Sequence, residues 1–244
     1  MLSKARSEMF LYAHRGASAE APENTLAAFR RAVAAGADGI ELDVHLCADG
    51  VPVVIHDETL ERTTDGAGAV AAQPLAALAR LDAGGWFAPQ FYGEKLPTLA
   101  ATLHLLAGRL RLNLEVKDAR AGVAVLELLR HFPQAEAVVS SFDHRLLAHL
   151  RHLAPDLPLA VLLDSGDWHR ALARAAALRA CAFHPQVDLV SRPLLAACRR
   201  LDLPVYVWTV DDPGLARSLA RSGVAGLFTN DPAGMRGHCS VVSS

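Results

Sequence analysis

Short apolar runs and longer amphipathic stretches alternate along nearly the whole chain. Phe10 to Ala13 and Gly39 to Leu46 are two such runs, and others start near Leu110, Ala137, Leu159, Ala180, Val205 and Gly226. The last six start 21 to 27 residues apart, which leaves room for one helix and two turns in each gap. Between the first two runs, Leu26, Phe29 and Val33 share one helical face, so a helix is expected over Asn24 to Ala35, stopped by Gly36. Asp143, Ser191 and Asp212 stand at N-cap positions, the last followed by Pro213. Eight short strands, each followed by a helix, imply parallel βαβ units. Eight can close into a (β/α)8 TIM barrel that has no sheet edge. An open doubly wound sheet is the alternative, weakened by the lack of a G-x-G-x-x-G after the first strand.

One segment breaks this rhythm. Val51 to Ile55 reads as a strand too close to the second one for a parallel crossover, and Asp49-Gly50 is a hairpin turn signal. With those two residues as the turn, Ala48 faces Val51 and Asp43 faces His56. Residues 58–97 then form an insertion after the second strand, rich in Gly and Pro, with a helical pattern around Leu75 to Leu81. It is expected to cover the barrel mouth within a single domain spanning 1–244. Gly234 to Ser244 reads as a loose tail.

Composition narrows the class. The 244 residues are 52% hydrophobic and carry a formal net charge of -2, so nothing points to nucleic acid or an anionic membrane. No stretch reaches the roughly 18 apolar residues of a membrane helix, and no signal peptide precedes the first strand. Cys47, Cys181, Cys198 and Cys239 show no C-x-x-C spacing and read as reduced thiols, so a cytoplasmic protein is expected. Oligomeric state is not readable.

The chemistry should lie at the C-terminal ends of the strands. The first strand ends in His14-Arg15-Gly16, and the second carries Glu41 and Asp43 on one face. The hairpin returns His56-Asp57, and the next strand carries Asn113, Glu115 and Lys117 on one face. Charges facing a barrel interior need partners or a metal. Glu41, Asp43 and Glu115 form an all-oxygen set suited to one divalent cation, Mg²⁺ or Ca²⁺. The alternative is ion pairing with Arg15 and Lys117 and no metal. His14 and His56 suit general acid–base catalysis, and Arg15 and Lys117 suit an anionic phosphate. His45 is expected to be solvated, and His184 to lie behind the site. The other seven histidines fall mostly on helix surfaces. A lone histidine at a strand end is usually just hydrogen-bonded, so the case rests on co-location.

Several stretches carry a resemblance: His14-Arg15-Gly16, Pro22-Glu23-Asn24-Thr25, Glu41-Leu42-Asp43-Val44, Val53 to Asp57, Leu60 to Thr64, Asn113 to Lys117, and Val207-Trp208-Thr209-Val210. In this order and spacing the chain resembles the glycerophosphodiester phosphodiesterase family, bacterial cytoplasmic type. The resemblance implies hydrolysis of a glycerophosphodiester to an alcohol and sn-glycerol 3-phosphate. It implies that Glu41, Asp43 and Glu115 hold the metal, that His14 is the general base and His56 the general acid. Arg15 and Lys117 would bind phosphate, and Trp208 would line the glycerol side. A lyase-type relative cleaving lysolipids to a cyclic phosphate shares this architecture. A non-catalytic binding module and a Schiff-base aldolase using Lys117 are the rival classes.

Overall fold

The computed structural model describes residues 9–238. Eight parallel strands form a barrel: β1 (Phe10–Ala13), β2 (Gly39–Leu46), β4 (Arg111–Val116), β5 (Ala137–Ser141), β6 (Leu159–Leu163), β7 (Ala182–Pro185), β8 (Tyr206–Val207) and β9 (Gly226–Thr229). They run in order β7-β6-β5-β4-β2-β1-β9-β8, and parallel bridges Phe183–Val205 and Gln186–Trp208 join the two ends. The strands lie where the alternation of the sequence puts them.

Helices α1 (Leu26–Ala34), α3 (Leu99–Leu106), α4 (Ala121–Arg130), α5 (His144–Leu153), α6 (Trp168–Ala177), α7 (Arg192–Arg200) and α8 (Pro213–Arg221) surround the barrel. Their starts are chemically specified. Asp143 accepts from the Arg145 and Leu146 amides, Ser191 from Leu194, and Asp212 from Leu215 at 2.6 Å. The helix α1 starts later than its periodicity suggests. Thr25 is the cap, and Asn24 turns aside into the left-handed region at φ 59°.

The hydrophobic core lies between barrel and helices, where Leu11, Ile40, Leu42, Leu112, Leu114, Val161, Phe183 and Leu227 point outward from their strands. Each such side chain contributes about 1.5–3 kcal/mol of burial. The interior positions of β2 and β4 are polar instead: Glu41, Asp43, Asn113 and Glu115 are all buried.

The ninth strand, β3 (Pro52–Val54), pairs antiparallel with β2, but its register differs from expectation by one residue. Val44 faces Val54 and His45 faces Val53, so Asp43 lies opposite Ile55, whose amide donates to the Asp43 carbonyl at 3.0 Å. The loop is Ala48-Asp49-Gly50, closed by the Gly50 amide on the Cys47 carbonyl, with Gly50 at φ 74°. A three-residue loop ending in a left-handed glycine has thus replaced the two-residue turn. His56 reaches the site because the chain leaves the pairing after Ile55.

The hairpin and residues 58–97 share a small second core built on Val53, Ile55, Leu60, Val70, Leu78 and Leu96. The helical pattern there shrinks to one turn, α2 (Leu75–Leu78). The tail expected from Gly234 is structured as far as the description runs. Helix α9 (Pro232–Met235) and a 3-10 turn over Arg236–His238 follow β9, and Met235 is buried. Residues 239–244, with Cys239, lie outside the described residues, as do 1–8.

Candidate active site

The chain turns sharply at the end of β1. Arg15 and Gly16 both have positive φ, 56° and 82°, and the Arg15 amide donates to Glu41 Oε2 at 2.9 Å. A Cβ on Gly16 would lie 2.7 Å from Ala28 Cβ, so only glycine lets α1 pack against this turn. Asn24 then reaches back: its Nδ2 donates to Asp43 Oδ2 at 2.8 Å, and its Oδ1 accepts from the Asp43 amide.

The parallel register of β2 and β4 sets Glu41 beside Asn113 and Asp43 beside Glu115. One oxygen from each of Glu41, Asp43 and Glu115 lies within 4.8 Å of the others. The ion pairs of the metal-free alternative are present as well. Lys117 Nζ lies 3.2 Å from Asp43 Oδ1 and touches Glu115 Oε1, while Arg15 Nε lies 3.3 Å from Asp43 Oδ2. These cations do not satisfy the cluster. Lys117 is shared between Asp43 Oδ1 and Glu115 Oε1, and Glu41 Oε1 is buried with no hydrogen-bond partner. Burial, reinforced by the Asp43 charge, pushes the Glu115 carboxyl up to about 7. Burial and both neighbouring acids also raise Glu41 well above the carboxylate range. For Asp43, burial works upward, but Lys117 and Arg15 outweigh it and hold the group low. Two carboxyls reluctant to ionise, converging with Asp43 and leaving Glu41 Oε1 without a partner, fit a hard divalent cation with oxygen preference.

Two imidazoles share this cavity of about 230 Å³, together with Arg15, Glu41, Glu115 and Lys117. His14 Nδ1 lies 2.8 Å from Asn230 Oδ1. The Asn230 amide is oriented by its other end, because Nδ2 donates to Asp211 Oδ2 at 2.6 Å. The carbonyl oxygen can only accept, so His14 carries its proton on Nδ1 and presents Nε2 as a lone pair. Burial, then the Arg15 charge, lowers the His14 pKa to about 4, so the ring is neutral at pH 7. His56 Nδ1 faces a carboxylate, Asp57 Oδ1, at 2.6 Å. Burial lowers His56 too, against the pull of Asp43 and Asp57.

The far wall is apolar. Trp208 lines the cavity with its indole N–H fixed on the His184 carbonyl at 2.9 Å, and Phe142 meets it edge to face. Eight sequence-selected residues therefore come together: seven line the cavity, and Asp43 stands directly behind it.

One histidine expectation changes and another holds. His45 is buried, 6% exposed, with Nε2 on the His56 carbonyl at 3.0 Å; the hairpin covers it. His184 is buried beneath the site between Tyr206 and Phe228, so only its carbonyl serves the cavity. The sequence reading assigned no role to Asn230, Asn24, Asn113 or Arg62. Asn230 follows the last strand directly, so the strand-end rule that selected His14 also points to it.

The sequence model of the glycerophosphoryl diester phosphodiesterase family matches residues 14–234. A glycerophosphodiester phosphodiesterase of Caldanaerobacter subterraneus is 38% identical over 230 residues, covering 90% of this chain and 93% of the relative. One from Bacillus subtilis is 33% identical over 244 residues, covering 90% and 83%. Among solved structures, an Oleispira antarctica phosphodiesterase in complex with the product sn-glycerol-3-phosphate superposes with a TM-score of 0.88 at 29% identity, covering 95% of this chain and 96% of that one. A glycerophosphodiester phosphodiesterase from Agrobacterium tumefaciens gives 0.83 at 34% identity, covering 94% and 99%.

Proposed function

This chain belongs to the glycerophosphodiester phosphodiesterase family, and from that premise we propose how its own residues divide the work of hydrolysis. The enzyme cleaves glycerophosphodiesters to an alcohol and sn-glycerol 3-phosphate. The assignment of roles rests on one observation: an amide stands behind His14 and a carboxylate behind His56. A neutral partner leaves His14 a neutral base, which takes the proton of the attacking oxygen at Nε2. The oxygen is that of water, or that of the neighbouring glycerol hydroxyl, in which case water then opens the cyclic phosphate so formed to glycerol 3-phosphate. An anionic partner favours the imidazolium of His56, which gives its proton to the departing alkoxide as the P–O bond breaks. The arriving phosphate anion strengthens that preference, offsetting the burial that lowers His56 in the free enzyme.

Arg15 and Lys117 stabilise the charge on the phosphoryl oxygens. Glu41, Asp43 and Glu115 would hold a divalent cation, Mg²⁺ or Ca²⁺, which supplies Lewis-acid polarisation of substrate oxygens. Trp208 forms the apolar wall for the glycerol carbons. Residues 58–97 belong to the same domain, packed on the hairpin beside the mouth. The buried free thiols Cys47 and Cys198 suit the reducing cytoplasm.

Release of glycerol 3-phosphate from glycerophosphocholine, with and without EDTA, tests this reading. Activity is expected without chelator and its loss with chelator. His14→Ala and His56→Ala should each lower kcat by roughly 10²–10⁴-fold. Wild-type turnover in both variants, or a cyclic phosphate as the final product by phosphorus NMR, would overturn it.

A further inference from the structure

His56 is the less buried of the two imidazoles, with its side chain 31% exposed, and it sits in a loop outside the β3 ladder. A loop imidazole with one carboxylate partner keeps rotational freedom unless that carboxylate is itself held. Asp57 is held by a single group. Arg62 Nε donates to Asp57 Oδ2 at 2.6 Å and Arg62 Nη2 to Asp57 Oδ1 at 3.0 Å. The same guanidinium grips Glu23, Nη1 to Oε2 at 2.9 Å and Nη2 to Oε1 at 2.8 Å. Glu23 in turn accepts from Arg15 Nη1 at 2.9 Å. One planar cation therefore ties the support of His56, which follows β3, to the support of Arg15, which follows β1.

Arg62 does not line the cavity, and its side chain is 44% exposed. Exposed ion pairs add little stability, so four directed bonds on one guanidinium ask for another explanation. We propose that Arg62 is a positioning residue: it fixes the Asp57 carboxylate so that His56 Nε2 points at the leaving oxygen, with Glu23 as its anchor. This rests on the acid role given to His56 above. A shift of about 1 Å in a reacting group can cost about 100-fold in rate, so orientation carries more consequence here than folding energy does. Lysine cannot replace it, because an ammonium has no planar fork to span two carboxylates.

The leaving group provides the test. Choline departs as an alkoxide that needs a proton; p-nitrophenol departs as a stable anion that does not. Arg62→Ala should lower kcat on glycerophosphocholine by roughly 10- to 100-fold. It should change kcat on glycerol 3-(p-nitrophenyl phosphate) far less, and His56→Ala should show the same pattern more strongly. Added guanidinium should restore part of the loss, and the same concentration of ammonium should not. Arg62→Lys carries the same comparison if the alanine variant does not fold. Equal losses on both esters, or no loss on either, would overturn the positioning role while leaving the hydrolase reading intact. Failure of the unaltered enzyme to release glycerol 3-phosphate from either ester would overturn both.

Discussion

Asp57 differs from an asparagine by one charge, and that charge is what sets His56 apart from His14. Asp57→Asn keeps an acceptor for the imidazole but removes the pull on its proton. The His56 pKa should fall, so the alkaline limb of kcat/KM, where His56 loses its proton, should move to lower pH. The acid limb, where His14 gains one near pH 4, should stay in place. A pH–rate profile with the limbs unmoved, or with the acid limb shifted instead, would assign the histidines the other way. The residues that gather at the cavity were legible in the sequence because polar residues at the ends of apolar strands are conspicuous. Their partners were less so. Asn230 stands at a strand end and could have been selected on that ground, but Asn24 and Arg62 act through hydrogen bonds between segments distant in sequence, which local spacing does not encode.

Among elements, the first turn and α1 are bound together through Gly16. Gly16→Ala puts a left-handed strain on the backbone and drives a Cβ into Ala28. A loss of about 1–3 kcal/mol is expected, read as a lower urea midpoint. KM should rise as well, because Arg15 is displaced with the turn; an unchanged midpoint would contradict the packing described. The hairpin shows how an element can be found while its detail is missed. Asp49-Gly50 marked the turn correctly, but the same dipeptide serves two loop lengths. The choice of the longer loop moved the register by one residue. The predicted approach of Asp43 and His56 survived only because the chain departs from the ladder before His56.

For the whole molecule, the acidic cluster links metal, proton and stability. Glu115 and Glu41 hold protons in the folded state at pH values where the unfolded chain has released them. Their ionisation therefore destabilises the metal-free fold as pH rises from about 4.5 through 7. The neutral His14 works in the opposite direction as pH falls below 6.5. The carboxyls respond most directly to the cation, because they would be its ligands. The rise in Tm on adding Mg²⁺ or Ca²⁺ should be small at pH 5.5 and larger at pH 8, since the cation must displace protons at the lower value. A cation effect independent of pH would place binding elsewhere. Closure of the ring was legible from the strand count, but its unevenness was not. The register of β2 with β4 runs over six residue pairs, whereas β8 has two pairs with β9 and is joined to β7 through two bridges. The barrel is thus stiff on the side that carries the acids and Lys117, and thinly stitched beneath Trp208. The wall proposed for the glycerol carbons therefore rests on the most sparsely bonded strand of the ring, and the acids proposed to hold the cation rest on the most densely bonded pair.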